Sequence, residues 1–351
     1  MSNDSLLLIF SLINMKICLV TADGTSGGIE KHILDLLEYL QIDHELTLIA
    51  PKSLTEKVGA NIKSIPLDWN RSRRNPFLLV NLYKILNANK FDIVHSHGGK
   101  ATFVLGLLKY LISFKLISTL HNNTKTKAKS YNNSDHVIGV SRNVFAESGF
   151  KGNSTSVIYN GIEAPEKHFS IRDEINKFFS APKLPLFISV GRLVHAKGFD
   201  ILIDSMQDIN ANLYIVGDGP LMQSLSQRIE TNRLQGRVVL SGHKNNINQI
   251  LQSSDACIIT SRNEGFSYVA LEALLNKTLI ASTNVACAEF LPSHVILSNS
   301  PKEIAQRLNI LLNNKAKWHE ELEPFFLLAQ TDLTLEAMAK KTVLEYKRLL
   351  N

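Results

Sequence analysis

The sequence predicts an α/β protein made of two doubly wound parallel-sheet domains. Short apolar runs that are typical of buried strands alternate with helical patterns in both halves of the chain. Residues 163–185 separate the two series, because they contain three prolines and no strand pattern. The chain has 351 residues, of which 44 % are hydrophobic, and this length suits two domains of roughly 150 residues each.

Six predicted strands precede this boundary and five follow it. Those of the first half cover residues 16–22, 45–50, 92–97, 115–121, 136–141 and 156–161. Those of the second half cover residues 186–191, 213–219, 238–242, 256–261 and 278–283. We therefore expect Rossmann-like domains at 15–165 and 166–330, with a C-terminal helix at 331–351 that returns toward the first. The carboxyl ends of the two sheets are expected to face each other across a binding cleft.

The composition argues against several other classes. The three cysteines are scattered within or beside apolar runs, which disfavours a disulfide framework or a thiolate metal site and favours a reducing compartment. The apolar run at residues 6–15 is about half as long as the roughly twenty residues of a spanning helix. It also lacks the basic region and cleavage site of a signal peptide. We interpret residues 1–14 as an extension ahead of a first strand that begins near Met15.

The net charge is +6, and the excess of basic residues lies in the first half of the chain. Basic residues cluster at 71–74 (RSRR) and 125–129 (KTKAK), while Lys100, Lys109 and Lys115 flank an apolar stretch. An anionic substrate, an anionic membrane surface or a nucleic acid would each fit, as would ordinary solvated lysines. Nucleic-acid binding is the weakest of these hypotheses, because no basic stripe is interleaved with aromatic residues.

Glycines and histidines mark the strand ends of the first domain. Gly27 and Gly28 precede an amphipathic helix whose first amides could meet an anion or a hydroxyl; the dinucleotide motif G-x-G-x-x-G is absent. His97 and His121 each close a strand, where a histidine can bind a substrate hydroxyl, carry a proton or serve a structural role. His95 and His97 share a strand face, yet no third ligand is spaced to complete a zinc site, so no metal is expected.

Cations mark a strand end of the second domain. Arg192 follows a strand-end glycine, and Lys197 comes five residues later, before Gly198 and a helix. Two cations beside free backbone amides suit a diphosphate, although a solvated pair remains the alternative. Gly217 and Gly219 form a tight GDGP turn after the next strand, which lets the backbone approach a ligand closely.

Two glutamates, Glu264 and Glu272, stand eight residues apart in the apolar stretch SRNEGFSYVALEALL. If a helix begins just after Gly265, Glu272 lies two turns into it, on the face beneath Glu264. Paired carboxylates can accept hydrogen bonds from sugar hydroxyls. The alternative is an acid at a helix N-terminus and a solvated helix residue.

The order and spacing of these pieces resemble the retaining GT-B glycosyltransferases of the family 4 type, which carry a Glu-x7-Glu motif. The resemblance runs over nearly the whole chain from about residue 15. It rests on the segments GGIEKH, DIVHSHG, STLHN, VIGVSRNV, VIYNGIE, VGRLVHAKGFD, YIVGDGP, VVLSGH and DACIITSRNEGFSYVALEAL.

The resemblance implies transfer of a hexosyl or N-acetylhexosaminyl group from a nucleotide-diphosphate sugar, with retention and without a metal or cofactor. A UDP-sugar is the first candidate for the donor. The acceptor would be a glycan or lipid-linked molecule in bacterial surface polysaccharide or lipopolysaccharide synthesis. A cytoplasmic location is implied, with peripheral attachment to the inner face of the cell membrane left open. A sugar-nucleotide epimerase on the same fold is the alternative.

The resemblance also implies roles for the marked residues. The catalytic set would be Glu264 at the transferred sugar, His121 beside it, and Arg192 and Lys197 at the departing diphosphate. His97 would lie on the acceptor side. The residues implied to bind the donor are Gly27, Gly28, Arg192, Lys197, Gly217, Gly219, Gly265, Phe266 and Glu272, with Gly265 and Phe266 opening the helix that approaches the phosphate.

Two departures from the family pattern lie near the implied donor site. Members of the family usually carry a glycine and a proline in the turn before the last predicted strand, where this chain has residues 276–278 (NKT). They also usually carry a glycine pair after that strand, where this chain has Ala286 and Cys287. Because glycine allows close backbone approach, the side chains at 286 and 287 are expected to narrow the donor pocket.

Overall fold

A computed structural model of the chain describes residues 14–24, 27–121, 129–152 and 154–351. The chain divides into two compact units. The first comprises residues 1–159 together with 335–351, and the second comprises residues 160–334. The predicted extension at 1–14, apart from Asn14, and residues 125–128 of the KTKAK cluster lie outside the described residues.

The first unit contains a seven-stranded parallel sheet in the order β3-β2-β1-β4-β5-β6-β7. Its strands are β1 (Lys16–Thr21), β2 (Glu45–Ala50), β3 (Lys63–Pro66), β4 (Ile93–His97), β5 (Lys115–Leu120), β6 (His136–Gly139) and β7 (Thr155–Val157). Its helices are α1 (Gly28–Leu40), α2 (Lys52–Thr55), α3 (Pro76–Asn89), α4 (Gly99–Leu108), α5 (Arg142–Ser148) and, from the C-terminus, α13 (Leu335–Leu350).

Strand β1 shows why this sheet has two covered faces. Ile17 and Leu19 belong to one apolar cluster, which α1 and α13 complete, whereas Cys18 and Val20 belong to another, completed by α3 and α4. Successive side chains of a strand point to opposite faces, so a continuous apolar run feeds both clusters. Tyr346 of α13 is fully buried in the first cluster, which is why the C-terminal helix counts as part of the first unit.

The second unit contains a six-stranded parallel sheet in the order β10-β9-β8-β11-β12-β13. Its strands are β8 (Leu186–Val190), β9 (Asn212–Val216), β10 (Val238–Leu240), β11 (Ala256–Ile259), β12 (Leu279–Thr283) and β13 (Ile296–Leu297). Its helices are α6 (Arg172–Asn176), α7 (Phe199–Ser205), α8 (Met222–Thr231), α9 (Ile247–Gln252), α10 (Tyr268–Leu275), α11 (Pro301–Asn313) and α12 (Lys315–Asp332).

Each of the eleven predicted strands is present, and most end one to four residues earlier than predicted. The two additional strands, β3 and β13, lie at sheet edges. Strand β3 is mostly exposed and ends in Pro66, and β13 has two residues, so neither has the apolar run on which the prediction relied. The units meet in sequence at Tyr159–Asn160, six residues before the expected boundary.

The first part of the apolar stretch between Lys100 and Lys115 lies in α4, and most of this helix is buried. Ala101, Val104 and Leu105 are fully buried in the core of the first unit. In the described part of the chain, no helix combines the length and apolar character needed to cross a membrane.

Candidate active site

The second unit brings Lys197 and Glu264 into direct contact. Lys197 ends a short 3-10 helix, His195–Lys197, that follows β8, and Glu264 lies in the loop after β11. The Lys197 Nζ donates to Glu264 Oε1, and the side chains are only 23 % and 11 % exposed. An ion pair that is mostly withdrawn from water is costly to form unless other groups complete its hydrogen bonding. The pair is therefore a candidate for function rather than for stability.

The second carboxylate oxygen of Glu264 takes no part in this ion pair. Glu264 Oε2 is buried and has no hydrogen-bond partner among the described residues. A buried carboxylate oxygen left unsatisfied costs about 1–3 kcal/mol or more. An ionised carboxylate can only accept, so a ligand that donates a hydrogen bond would complete the arrangement.

Contacts between loops place Lys197 and Glu264 near each other. The Arg262 amide donates to the Ala196 carbonyl at 2.7 Å, and the Thr260 hydroxyl donates to the Gly198 carbonyl at 3.0 Å. Gly198 has φ +66°, and a Cβ there would clash with the carbonyl oxygen of Thr260. The chain can turn directly after Lys197 only because residue 198 is glycine.

Arg262 holds the same two loops through its side chain. Its guanidinium donates to both carboxylate oxygens of Asp200 at 2.7 Å and to the His195 carbonyl at 2.8 Å. Burial alone would raise the pKa of Asp200, but the hydrogen bonds and charge of Arg262 lower that pKa below its ordinary value. Sequence reasoning missed Arg262, although the pattern SRNEG places it two residues before Glu264.

Arg192 lies on the loop after β8 that also carries Lys197, and this loop contacts the GDGP turn. The amide of Gly191 donates to Val216 at 2.9 Å and that of Leu193 to Asp218 at 2.8 Å. A Cβ at Gly217, where φ is +144°, would clash with the Gly191 carbonyl oxygen. The Arg192 side chain is exposed and has no ion-pair or hydrogen-bond partner in the described ranges, so it is available to an anion.

The helix that carries Glu272 begins later than predicted. Helix α10 starts at Tyr268, and the Ser267 hydroxyl caps it by accepting from the Ala270 amide at 3.4 Å. Gly265 and Phe266 therefore precede the helix instead of opening it. Serine is a favoured N-cap residue, because its hydroxyl satisfies an amide of the first turn.

Glu272 is half-buried on α10. Its charge and the charge of Glu264 both act on the thiol of Cys257. Burial is the main cause that raises the pKa of Cys257, and both glutamates raise it further. Both carboxylates therefore lie close enough to this sulfur for their charges to act on it. The two acids of the Glu-x7-Glu pattern thus share one neighbourhood around β11.

Cys287 belongs to the same neighbourhood. It lies in a 3-10 helix, Ala286–Phe290, and its Sγ is 3.3 Å from the Ser282 hydroxyl oxygen. Burial, with a further contribution from Glu264, raises the pKa of the Cys287 thiol to about 12. The side chains of Ala286 and Cys287 are both buried, and the expected narrowing of a donor pocket stays a prediction.

The first unit gathers histidines. His97 at the end of β4 and His121 just after β5 are hydrogen-bonded, with Nδ1 of the first 3.1 Å from Nε2 of the second. The ring centroid of His32, on α1, is 5.2 Å from that of His97 and 4.8 Å from that of His121. All three are buried. Burial, assisted by neighbouring histidines, lowers the pKa of His97 and His121 well below the ordinary range, so both rings are neutral at pH 7.

His95 is separate from this group in its hydrogen bonding. Its two ring nitrogens lie 2.6 Å from the Tyr346 hydroxyl and 2.7 Å from the Thr119 hydroxyl. Both nitrogens are satisfied within the core, and the contact with Tyr346 joins α13 to the sheet. His95 is therefore a structural residue.

Gly27 and Gly28 lie at the start of α1, with Gly27 as its N-cap. They lie in the same unit as the histidines. Sequence reasoning did not anticipate a cavity of about 570 Å³ in this unit, lined by the loops that follow β1, β2 and β3. Trp69 lines it, and the Trp69 Nε1 is buried with no hydrogen-bond partner among the described residues.

Comparison with known proteins identifies both units. Residues 26–164 match the family described as Glycosyltransferase Family 4, and residues 170–323 match Glycosyl transferases group 1. The chain carries both domains of a glycosyltransferase. This confirms the enzyme class that the motifs implied.

Individual relatives agree with this assignment. The uncharacterized glycosyltransferase MJ1178 of Methanocaldococcus jannaschii is 27 % identical, over 82 % of this chain and 86 % of its own length. The O-antigen biosynthesis glycosyltransferase WclY of Escherichia coli is 22 % identical, over 95 % of this chain and 99 % of its own.

Solved structures establish the fold. Anabaena HepE in complex with UDP superposes with a TM-score of 0.83 at 19 % identity, covering 95 % of this chain and all of that one. HepE in complex with UDP-glucose gives a TM-score of 0.80 at 20 % identity, with the same coverage. The glycosyltransferase described here has the GT-B fold, as predicted.

The candidate residues of this glycosyltransferase fall into two groups. Gly27, Gly28, His97 and His121 lie in the first unit, where the two histidines are in contact. Arg192, Lys197, Gly217, Gly219, Glu264, Gly265, Phe266 and Glu272 lie in the second, where Lys197 and Glu264 are in contact.

Proposed function

We propose that this enzyme transfers a hexosyl or N-acetylhexosaminyl group from a nucleotide-diphosphate sugar, with retention at the anomeric carbon and without a metal requirement. A UDP-sugar is the first candidate for the donor. The observation that carries the proposal is the Lys197–Glu264 pair, whose second carboxylate oxygen is buried and open. The pair combines a cation suited to a phosphate with an acceptor suited to a sugar hydroxyl.

In the proposed reaction, the bond between the anomeric carbon and the diphosphate oxygen breaks as the bond to the acceptor oxygen forms. The proton of the acceptor hydroxyl leaves with the phosphate. Arg192 and Lys197 stabilise the negative charge that develops on the diphosphate. Glu264 Oε2 accepts a hydrogen bond from the transferred sugar, and Glu272 accepts hydrogen bonds from the ribose hydroxyls.

His121 has a role as a neutral ring in this proposal. Because burial keeps it uncharged, it can hydrogen-bond to the sugar without adding a positive charge beside the anomeric carbon. His97 would orient His121 through their 3.1 Å hydrogen bond and lie toward the acceptor.

The proposed acceptor is a glycan or lipid-linked molecule in bacterial surface polysaccharide or lipopolysaccharide synthesis. Support comes from WclY, which is named for O-antigen biosynthesis. The cavity near Trp69 suits an acceptor chemically, because its loops offer carboxylate, hydroxyl and ammonium groups beside a buried indole N–H.

A cytoplasmic location with peripheral membrane attachment is the remaining part of the proposal. Arg71 lies 5.7 Å from the ring centroid of Phe77, which is 67 % exposed. Tyr110 and Leu111, after α4, are 78 % and 70 % exposed. Exposed apolar side chains beside cations suit an anionic lipid surface. Co-sedimentation with anionic vesicles should weaken in high salt, and salt-independent binding would contradict the electrostatic component.

A thermal-shift screen against UDP, GDP, ADP and their sugars tests the donor site. A nucleotide at 100 times its dissociation constant stabilises the folded state by about 2.7 kcal/mol. We expect one base to stabilise the wild type, and its sugar to be transferred with the anomeric configuration retained, as read by NMR of the product. No shift with any nucleotide contradicts the donor site. Release of free epimerised sugar without acceptor would identify an epimerase instead.

A further inference from the structure

The three buried histidines of the first unit form a compact set of metal-ligating atoms. One ring nitrogen from each of His32, His97 and His121 lies within 4.8 Å of the others. The three come from different elements, since α1 carries His32, β4 ends at His97 and His121 follows β5. No third ligand follows His95 and His97 at zinc-site spacing in the chain. The fold instead brings His32 and His121 to His97.

The spacing of these nitrogens approaches that of a coordinated ion. Ligand nitrogens about 2.1 Å from a tetrahedral Zn²⁺ are about 3.4 Å apart. The His97 and His121 rings are already in contact, with 3.1 Å between Nδ1 of the first and Nε2 of the second. The remaining separations of up to 4.8 Å need only an inward shift of a side chain.

A second observation points to an absent ligand. His97 is fully buried, and its Nε2 has no hydrogen-bond partner among the residues described. A buried ring nitrogen without a partner is destabilising unless another group satisfies it. A ring gives one nitrogen to an ion, so a cation bound by His97 through Nε2, in place of the Nδ1 contact with His121, would satisfy it.

We propose that His32, His97 and His121 form a binding site for a first-row transition-metal cation, with Zn²⁺ as the reference ion. Imidazole is a preferred ligand of Zn²⁺, Cu²⁺ and Ni²⁺. Three protein ligands leave one position of a tetrahedral ion open to water. A structural hydrogen-bonded cluster without metal affinity is the competing outcome.

Metal binding at this site is expected to inhibit sugar transfer, and this consequence rests on the proposed function. Coordination through His121 withdraws this ring from the hydrogen bond that we assign to it beside the donor sugar. Bound Zn²⁺ therefore inhibits transfer, and the enzyme needs no metal for turnover. The metal site would act as an inhibitory site in the first unit.

Direct binding measurements test the proposal independently of activity. The full chain, purified without a histidine tag and stripped with chelator, is titrated with ZnSO4 by calorimetry. We expect one Zn²⁺ per chain for the wild type and for His44→Asn, a half-buried histidine of the same unit outside the cluster. His32→Asn should bind at least about 10-fold more weakly, because it lacks one ligand. Far-UV circular dichroism of the metal-free variants checks that each one folds.

X-ray absorption of the wild type with one equivalent of Zn²⁺ keeps the test decisive if His32→Asn fails to fold. We expect three imidazole ligands at about 2.0–2.1 Å. The absence of stoichiometric binding, fewer than three imidazoles, or equal affinity of a folded His32→Asn and the wild type would each overturn the proposal. Stoichiometric Zn²⁺ binding by three imidazoles in a protein that transfers no sugar would contradict the proposed function and leave the metal site standing.

Discussion

The two units present different chemistry at their strand ends. In the second unit, Lys197 and Glu264 form a mostly buried ion pair, and Arg192, on the same loop as Lys197, is exposed. In the first unit, His32, His97 and His121 are buried together, and the two strand-end rings, His97 and His121, are neutral. Fixed charges suit a diphosphate, whereas neutral rings suit hydroxyl groups or a metal ion. Removing charged groups should therefore affect catalysis more than removing neutral ones.

The largest effect is expected from the cations. Arg192→Ala and Lys197→Ala should each lower kcat by about 100- to 1000-fold, as the loss of one group that stabilises a developing anion does. Arg307→Ala and Lys302→Ala, exposed cations on α11, are matched controls that should retain the wild-type rate. Steady-state kinetics with the identified donor measure the effect. Full activity of Arg192→Ala would contradict the assignment of Arg192 to the diphosphate.

The open oxygen of Glu264 gives the next effect. Glu264→Ala should lower kcat by about 100-fold, because its proposed partner is the reacting sugar. Single-turnover measurements at saturating donor separate this effect from weaker binding. A rise in KM with unchanged kcat would assign Glu264 to ground-state binding instead.

Glu272→Ala should act mainly on binding. A ribose contact made equally in the ground and transition states appears in KM rather than in kcat. Loss of one charged hydrogen bond of about 1.5 kcal/mol corresponds to about a 10-fold rise in KM. Calorimetric titration with the nucleotide provides the check, and a fall in kcat with unchanged nucleotide affinity would contradict the ribose assignment.

The smallest effect is expected from the ion pair that supports the charged loops. Arg262→Gln should lower the free energy of unfolding by about 1 kcal/mol near pH 7. Because Asp200 has a lowered pKa when folded, its contribution is present above its ordinary pKa of 3.8 and is lost as the pH falls through the folded pKa. Urea unfolding at pH 7 and pH 3 measures this, and a difference between the variant and the wild type that does not shrink at pH 3 would contradict it.

Much of the fold could be predicted from the sequence because parallel strands buried on both faces are continuous apolar runs. Strand β1 shows this directly, since its alternate residues fill two different apolar clusters. The edge strands β3 and β13 could not be predicted, because one is exposed and the other has two residues. A helix start just after Gly265 is too early, because Ser267 caps the helix and the first helical residue is Tyr268.

The candidate site divides in the same way. The motif order by itself determined the glycosyltransferase class and singled out Arg192, Lys197, Glu264 and Glu272, because ligand groups at strand ends follow each strand directly in the chain. Only the tertiary structure decided that Lys197 contacts Glu264, 67 residues away, and that Arg262 ties their loops through Asp200. It alone brought His32 to His97 and His121. Contacts between elements depend on how helices and loops pack on the sheet, and packing is not recorded in local spacing.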